Sequence, residues 1–86
     1  MPNRINEIMR RPRVLQANGQ SRSTLYLRIA EGLWTKPVNI GPRAVGWPAS
    51  EVAAINAARI AGKSDDQIRA LVTRLEAART AKEGQV

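Results

Sequence analysis

The 86-residue chain carries 14 lysines and arginines against 7 aspartates and glutamates, a formal net charge of +7, and has no cysteine, histidine or phenylalanine. That composition excludes a disulfide frame, a thiolate or imidazole metal site and any Ser–His or Cys–His catalytic pair, and it bounds the chain to one small domain with an aliphatic, alanine-rich core. Apolar runs are only a few residues long, far short of the roughly 20 needed to cross a bilayer, and the N-terminus has no apolar signal segment, so a soluble cytosolic protein with no membrane partner is expected.

Residues 1–11 have no clean period and lead into Arg10-Arg11-Pro12-Arg13, a basic lead-in expected to be flexible or extended. Pro12 suits the first turn of a short helix through Val14, Leu15 and Ala17 to Asn18, which Gly19 ends with a left-handed residue. Ser21 is a good N-cap for a second helix, Arg22 to Glu31, with Leu25 and Ile29 four apart on one face and Gly32 closing it. Two short helices joined at Asn18-Gly19-Gln20 outline a helix-turn-helix. Pro37-Val38-Asn39-Ile40 and Ala44-Val45-Gly46-Trp47 then read as a β-hairpin with a three-residue turn, Gly41-Pro42-Arg43. The alanine-rich stretch from Glu51 to Ala61 is strongly helix-forming and ends at Gly62. In the last helix Ser64 and Gln67 form a capping box, Asp65 and Asp66 occupy the positive first turn, and Ile68, Leu71, Val72 and Leu75 make one apolar stripe. Arg79 and Lys82 suit its C-terminal end, and the closing Glu83-Gly84-Gln85-Val86 is expected to fray. The expected organisation is a lead-in over 1–11, a winged helix-turn-helix over 12–62, and a C-terminal helix with its tail over 63–86. The fold class is mostly α with a small β-hairpin.

Charge follows this division. Residues 1–47 hold eight basic side chains against two acidic ones, and residues 48–86 hold six against five. Arginine outnumbers lysine 11 to 3, and its planar fork matches phosphate and guanine. A basic half built as helix, turn, helix and basic-tipped hairpin points to double-stranded DNA. The second helix of such a unit reads bases in the major groove from its N-terminal turns, here Ser21-Arg22-Ser23-Thr24. With Leu25 and Ile29 inward, Arg22, Ser23 and Tyr26, and further Leu27 and Thr24, are left for the outer face. Ser21 is accounted for by capping alone. Arg43 at the hairpin tip has no core to join and can reach a minor groove or phosphates, while Arg10, Arg11 and Arg13 can add a basic arm along the backbone. Trp34 and Trp47 sit in apolar pattern and are expected in the core rather than as base-stacking platforms.

The ordered pieces Ser21-Arg22-Ser23-Thr24-Leu25-Tyr26, Gly32, Lys36-Pro37-Val38, Gly41-Pro42-Arg43-Ala44-Val45-Gly46-Trp47 and Ser50-Glu51-Val52 resemble the AlpA family of phage and mobile-element regulators, over about residues 9 to 61. The resemblance implies a winged helix like those of MerR-type proteins and excisionases, and sequence-specific DNA binding that switches on mobile-element genes or directs excision by a tyrosine recombinase. Where that family commonly has Tyr-Arg-Leu-Ile, this chain has Tyr26-Leu27-Arg28-Ile29, which turns the basic residue by about 100°. Arg11 stands where the family usually has an apolar residue, and Trp34-Thr35 replaces Phe-Pro. The candidate DNA-binding set is Arg13, Arg22, Ser23, Thr24, Tyr26, Arg28, Lys36 and Arg43.

The expected role is an excisionase-type recombination directionality factor working with an integrase, the alternative a transcription activator of the same family. Neither needs a cofactor, and neither is an enzyme: Asp65 and Asp66 fit a helix first turn, and no second carboxylate cluster meets them in sequence. An RNA-binding protein should show exposed aromatics or an RNA motif, and a membrane-surface protein a Trp or Phe on its last helix. The stripe Ile68, Leu71, Val72 and Leu75 needs a cover, either the chain's own winged domain or a neighbouring protomer on DNA. The second cover makes it a candidate protein–protein surface for self-association.

Overall fold

The computed structural model describes residues 7–83, with side chains for residues 7–80. The start of the lead-in with Arg4, the Lys82 side chain and the closing residues 84–86 lie outside the described residues. In chain order the elements are β1 (Ile8–Arg10), α1 (Arg11–Asn18), α2 (Arg22–Ala30), β2 (Val38–Gly41), β3 (Ala44–Pro48), α3 (Ala49–Ile60) and α4 (Asp65–Glu83). The fold is mostly helical with a small antiparallel sheet, a winged helix-turn-helix to which α4 is added. Among the described residues no helix is long and apolar enough to cross a membrane.

Local chemistry sets the helix ends. Pro12 lies in the first turn of α1, and Gly19, at φ 70°, ends that helix with its N–H donating to the Leu15 carbonyl at 2.9 Å. The Ser21 hydroxyl caps α2 by accepting the Thr24 N–H at 3.2 Å. The expected capping box is present in full: Ser64 Oγ accepts the Gln67 N–H at 3.2 Å, and Gln67 Oε1 accepts the Ser64 N–H at 2.9 Å.

The sheet differs from the expected two-stranded hairpin. Its order is β1-β3-β2, so the end of the lead-in is a strand paired with β3, with Met9 opposite Trp47 and Arg10 opposite Gly46. The pairing depends on Gly46, where a Cβ would collide with the Ile8 side chain and lie 3.1 Å from the Met9 carbonyl oxygen. The wing's turn also departs from expectation. Gly41 pairs with Ala44, leaving only Pro42 and Arg43 between the strands, and the ladder is irregular between Asn39 and Gly41. Asn39 Oδ1 accepts the Gly41 N–H at 3.1 Å within that irregularity.

One core joins every layer: Val14 from α1, Leu25 from α2, Leu33 and Trp34 from the connection, Trp47 from β3, Val52 and Ile55 from α3, and Ile68 and Val72 from α4. Trp47 is at its centre, fully buried, and its indole N–H donates to the Thr35 carbonyl at 2.8 Å. Both tryptophans are core residues, as their apolar surroundings in the sequence imply.

Candidate nucleic-acid interface

The first turns of α2 are exposed at Arg22 and Ser23, while Leu25 is buried and Ile29 packs against the core. Thr24 is half-buried, and its hydroxyl accepts a hydrogen bond from the Ser21 hydroxyl at 2.9 Å, so it is tied into the cap. Tyr26 and Leu27 follow on the open side at 36% and 55% exposure. Arg28 is turned away and half-buried, with its Nη1 3.6 Å from Glu31 Oε1 one helical turn on. This is the consequence of the Leu27-Arg28 order: the guanidinium runs along the helix side toward a carboxylate.

Arg43 sits at the wing tip, exposed, and it is the one non-glycine residue with positive φ (59°) among the described residues. A β-carbon in that region is strained, which is why glycine or asparagine is usual at the second central position of a turn opened by proline. Arg13 is exposed on α1, Arg10 is exposed on β1, and Arg11 is half-buried where α1 begins.

Ion pairing divides the arginines. Arg28, Arg59, Arg69 and Arg79 each hold a carboxylate, with Glu31, Asp65, Asp66 and Glu51 as partners. None of Arg10, Arg11, Arg13, Arg22 or Arg43 makes a salt bridge among the described residues, and Arg74, exposed on α4, is the one arginine of the C-terminal half that does not. Uncompensated guanidinium charge is thus concentrated on β1, α1, the start of α2 and the wing tip.

The exposed side chain of Lys36 comes with an unexpected use of its backbone. Glu76 Oε2 accepts the Lys36 N–H at 2.8 Å, and Arg79 Nη2 donates to the Lys36 carbonyl at 2.8 Å. The same guanidinium holds Glu51 of α3 with two hydrogen bonds, Nε to Oε2 at 2.8 Å and Nη2 to Oε1 at 2.6 Å. The Glu51 hydrogen bond raises the Arg79 pKa from its ordinary value, partial burial opposes this, and the Glu51 and Glu76 charges add to the rise. At the other end of the connection Arg69 Nε donates to the Glu31 carbonyl at 2.9 Å, just past the end of α2. Through Arg69, Glu76 and Arg79, α4 therefore grips both ends of the segment that links α2 to the wing. Sequence reasoning missed this clasp, assigning Arg79 only to the helix C-terminus. The available signal was the spacing of Arg69, Glu76 and Arg79, seven and three residues apart, which returns these side chains to neighbouring positions on α4.

The apolar stripe of α4 is covered largely from within the chain. Ile68 and Val72 are buried in the core, and Leu71 and Leu75 pack against it half-buried. Of the two covers considered, the chain's own winged domain takes Ile68 and Val72, because a core this small draws on every apolar contact within reach. Leu71 and Leu75 keep part of their surface open.

Comparison with known proteins places these features in context. The family described as Phage_AlpA, prophage CP4-57 regulatory protein (AlpA), matches residues 7–59, from the approach to β1 nearly to the end of α3; α4 lies beyond the matched stretch. A protein of Enterobacteria phage P4 described as "Uncharacterized protein ORF88" is 44% identical over 55 residues, covering 64% of this chain and 62% of the phage protein. The chain thus spans about three-fifths of that relative's length. No solved structure matches.

Proposed function

The chain belongs to the AlpA family of phage regulatory proteins, and we propose that it binds duplex DNA sequence-specifically, with the start of α2 in a major groove and the wing tip at the adjacent minor groove. The observation that carries this reading is the set of unpaired arginines on β1, α1, α2 and the wing, beside a C-terminal half in which Arg59, Arg69 and Arg79, though not Arg74, pair with carboxylates. Arg22 can take guanine O6 and N7 with its fork, Ser23 and Tyr26 can reach base edges or phosphates, and Arg13 and Lys36 add phosphate contacts that supply affinity without sequence information. Arg28, held by Glu31, is left out of the base-reading set, and Thr24 serves through the cap.

Within this reading the role we assign is an excisionase-type directionality factor of a mobile element, shaping an attachment site for a tyrosine recombinase. The phage origin of the P4 relative supports a mobile-element setting. The family's description as a regulatory protein favours the second role, activation of mobile-element genes. Footprinting on the element's attachment site and promoters separates them: protection of the attachment site supports the first, and protection of promoters alone supports the second and overturns the first.

Arg22→Ala is expected to weaken a selected site by about 1–3 kcal/mol while random DNA loses less. Equal losses on both, measured by fluorescence anisotropy, would reduce Arg22 to a backbone contact. Arg43→Gly separates strain from function, because glycine relaxes the positive φ as it removes the charge. The variant should keep or gain stability, by up to about 1 kcal/mol, while its DNA affinity drops and the salt dependence of log K falls by about one unit or less. Unchanged affinity and slope would take the wing tip out of the interface.

A further inference from the structure

We infer that the second turn of α2 forms a subsite for a 5-methylpyrimidine, with Leu27 as the side chain that meets the methyl group; this rests on the duplex-DNA reading of α2 above. Leu27 is 55% exposed, although the same helix buries Leu25 completely and packs Ile29 on the core. Helical spacing sets it one turn beyond Ser23 and Thr24 and one turn before Glu31, with Tyr26 about 100° and Arg22 about 140° round the helix, so an aliphatic group stands in the middle of the exposed polar face. Arg28 does not share that place, since it lies about 100° round the helix, with its guanidinium toward Glu31 at 3.6 Å.

The chemistry of the major groove says what such a group can accept. Guanine, adenine and cytosine present only hydrogen-bond donors and acceptors there, and thymine alone adds a methyl group beside its carbonyl. Over a polar base edge Leu27 strips water and returns no hydrogen bond, which costs binding. Over a methyl group it removes apolar surface from water on both partners. The preference therefore has two parts, attraction at thymine and a penalty at the other bases, and the attractive part is worth roughly a fourfold change in affinity for one buried methyl. Tyr26, with its hydroxyl, can satisfy a polar edge or a phosphate and does not need a methyl partner.

The test starts from duplexes enriched by the wild-type protein from a random library, resynthesised with each thymidine in turn replaced by deoxyuridine, which removes the methyl and leaves base pairing intact. At one position the wild-type protein is expected to lose roughly fourfold in affinity, and Leu27→Ala, exposed enough to leave the fold unchanged by circular dichroism and melting, is expected to bind thymine and uracil equally there. Tolerance of uracil at every position overturns the inference and leaves DNA reading intact. Sensitivity that persists in Leu27→Ala overturns it as well, because another side chain then holds the methyl. A library that yields no enriched sequence overturns the DNA reading itself.

Discussion

Trp47→Ala is expected to cost about 3–5 kcal/mol, a large share of the stability of a domain this size, where roughly 0.05–0.15 kcal/mol per residue is typical. Trp47 is fully buried where β3 meets the helices, so its removal opens a cavity that α1, α3 and the Trp34 connection cannot all close. A second loss comes from the Thr35 carbonyl, which accepts the indole N–H at 2.8 Å and would be left without that donor in the interior. Trp47→Phe keeps much of the ring volume and loses the hydrogen bond, so it should cost less, about 1–3 kcal/mol. Urea unfolding followed by far-ultraviolet circular dichroism measures both. A Trp47→Ala midpoint close to wild type would mean that the packing does not converge on this residue.

The second large effect lies in the α3–α4 clasp. The Glu51 side chain is 5% exposed and its bidentate partner Arg79 is 24% exposed, so Arg79→Met strands a carboxylate in a nearly dry site. Breaking a pair of this kind typically costs about 3–5 kcal/mol, and the partial exposure of Arg79 puts this one near the lower figure. The double variant Glu51→Leu with Arg79→Met removes both charges together and should recover most of that loss, because the desolvation of an unpaired ion disappears with the ion. A double variant as unstable as Arg79→Met alone would show that packing of the arginine stem, and not the stranded charge, sets the cost.

How much of this was legible in the sequence follows from where each interaction is encoded. Helix ends came through because their chemistry is local: Pro12, Gly19, Ser21 and the Ser64–Gln67 box each act within four residues. The burial of Trp34 and Trp47 followed from their apolar neighbours. Strand β1 did not come through, since three residues carry no usable period and their partners, Gly46, Trp47 and Pro48, lie 36 to 40 positions away, with Gly46 marking the close approach only by lacking a Cβ. The wing turn was expected to be one residue longer because Pro42 and Arg43 alone do not look like a two-residue loop; the irregularity at Asn39–Gly41 absorbs the mismatch. The α4 clasp was missed for a related reason, as its partners on the connection are two backbone carbonyls that accept and one N–H that donates, groups which every residue of that segment but proline possesses and no sequence pattern marks. Among the candidate DNA-binding residues, the exposure of Arg22 and Ser23 was readable from helix phase and that of Arg43 from its place in the turn, whereas the approach of Arg28 to Glu31 needed the side-chain path itself.

The grip of α4 on Glu31 and Lys36 bears on which partner changes shape when the protein meets DNA. With the connection held at both ends, α2 and the wing tip form the jaws of a caliper whose opening is set before any duplex enters. On the proposed reading a site must then bring its major and minor grooves to that opening, and the duplex supplies the bending or narrowing required. Base steps lying between the two jaws, touched by neither, would enter the affinity through their stiffness, with pliable pyrimidine–purine steps such as TA and CA favoured over rigid A-tracts if the fit requires a kink.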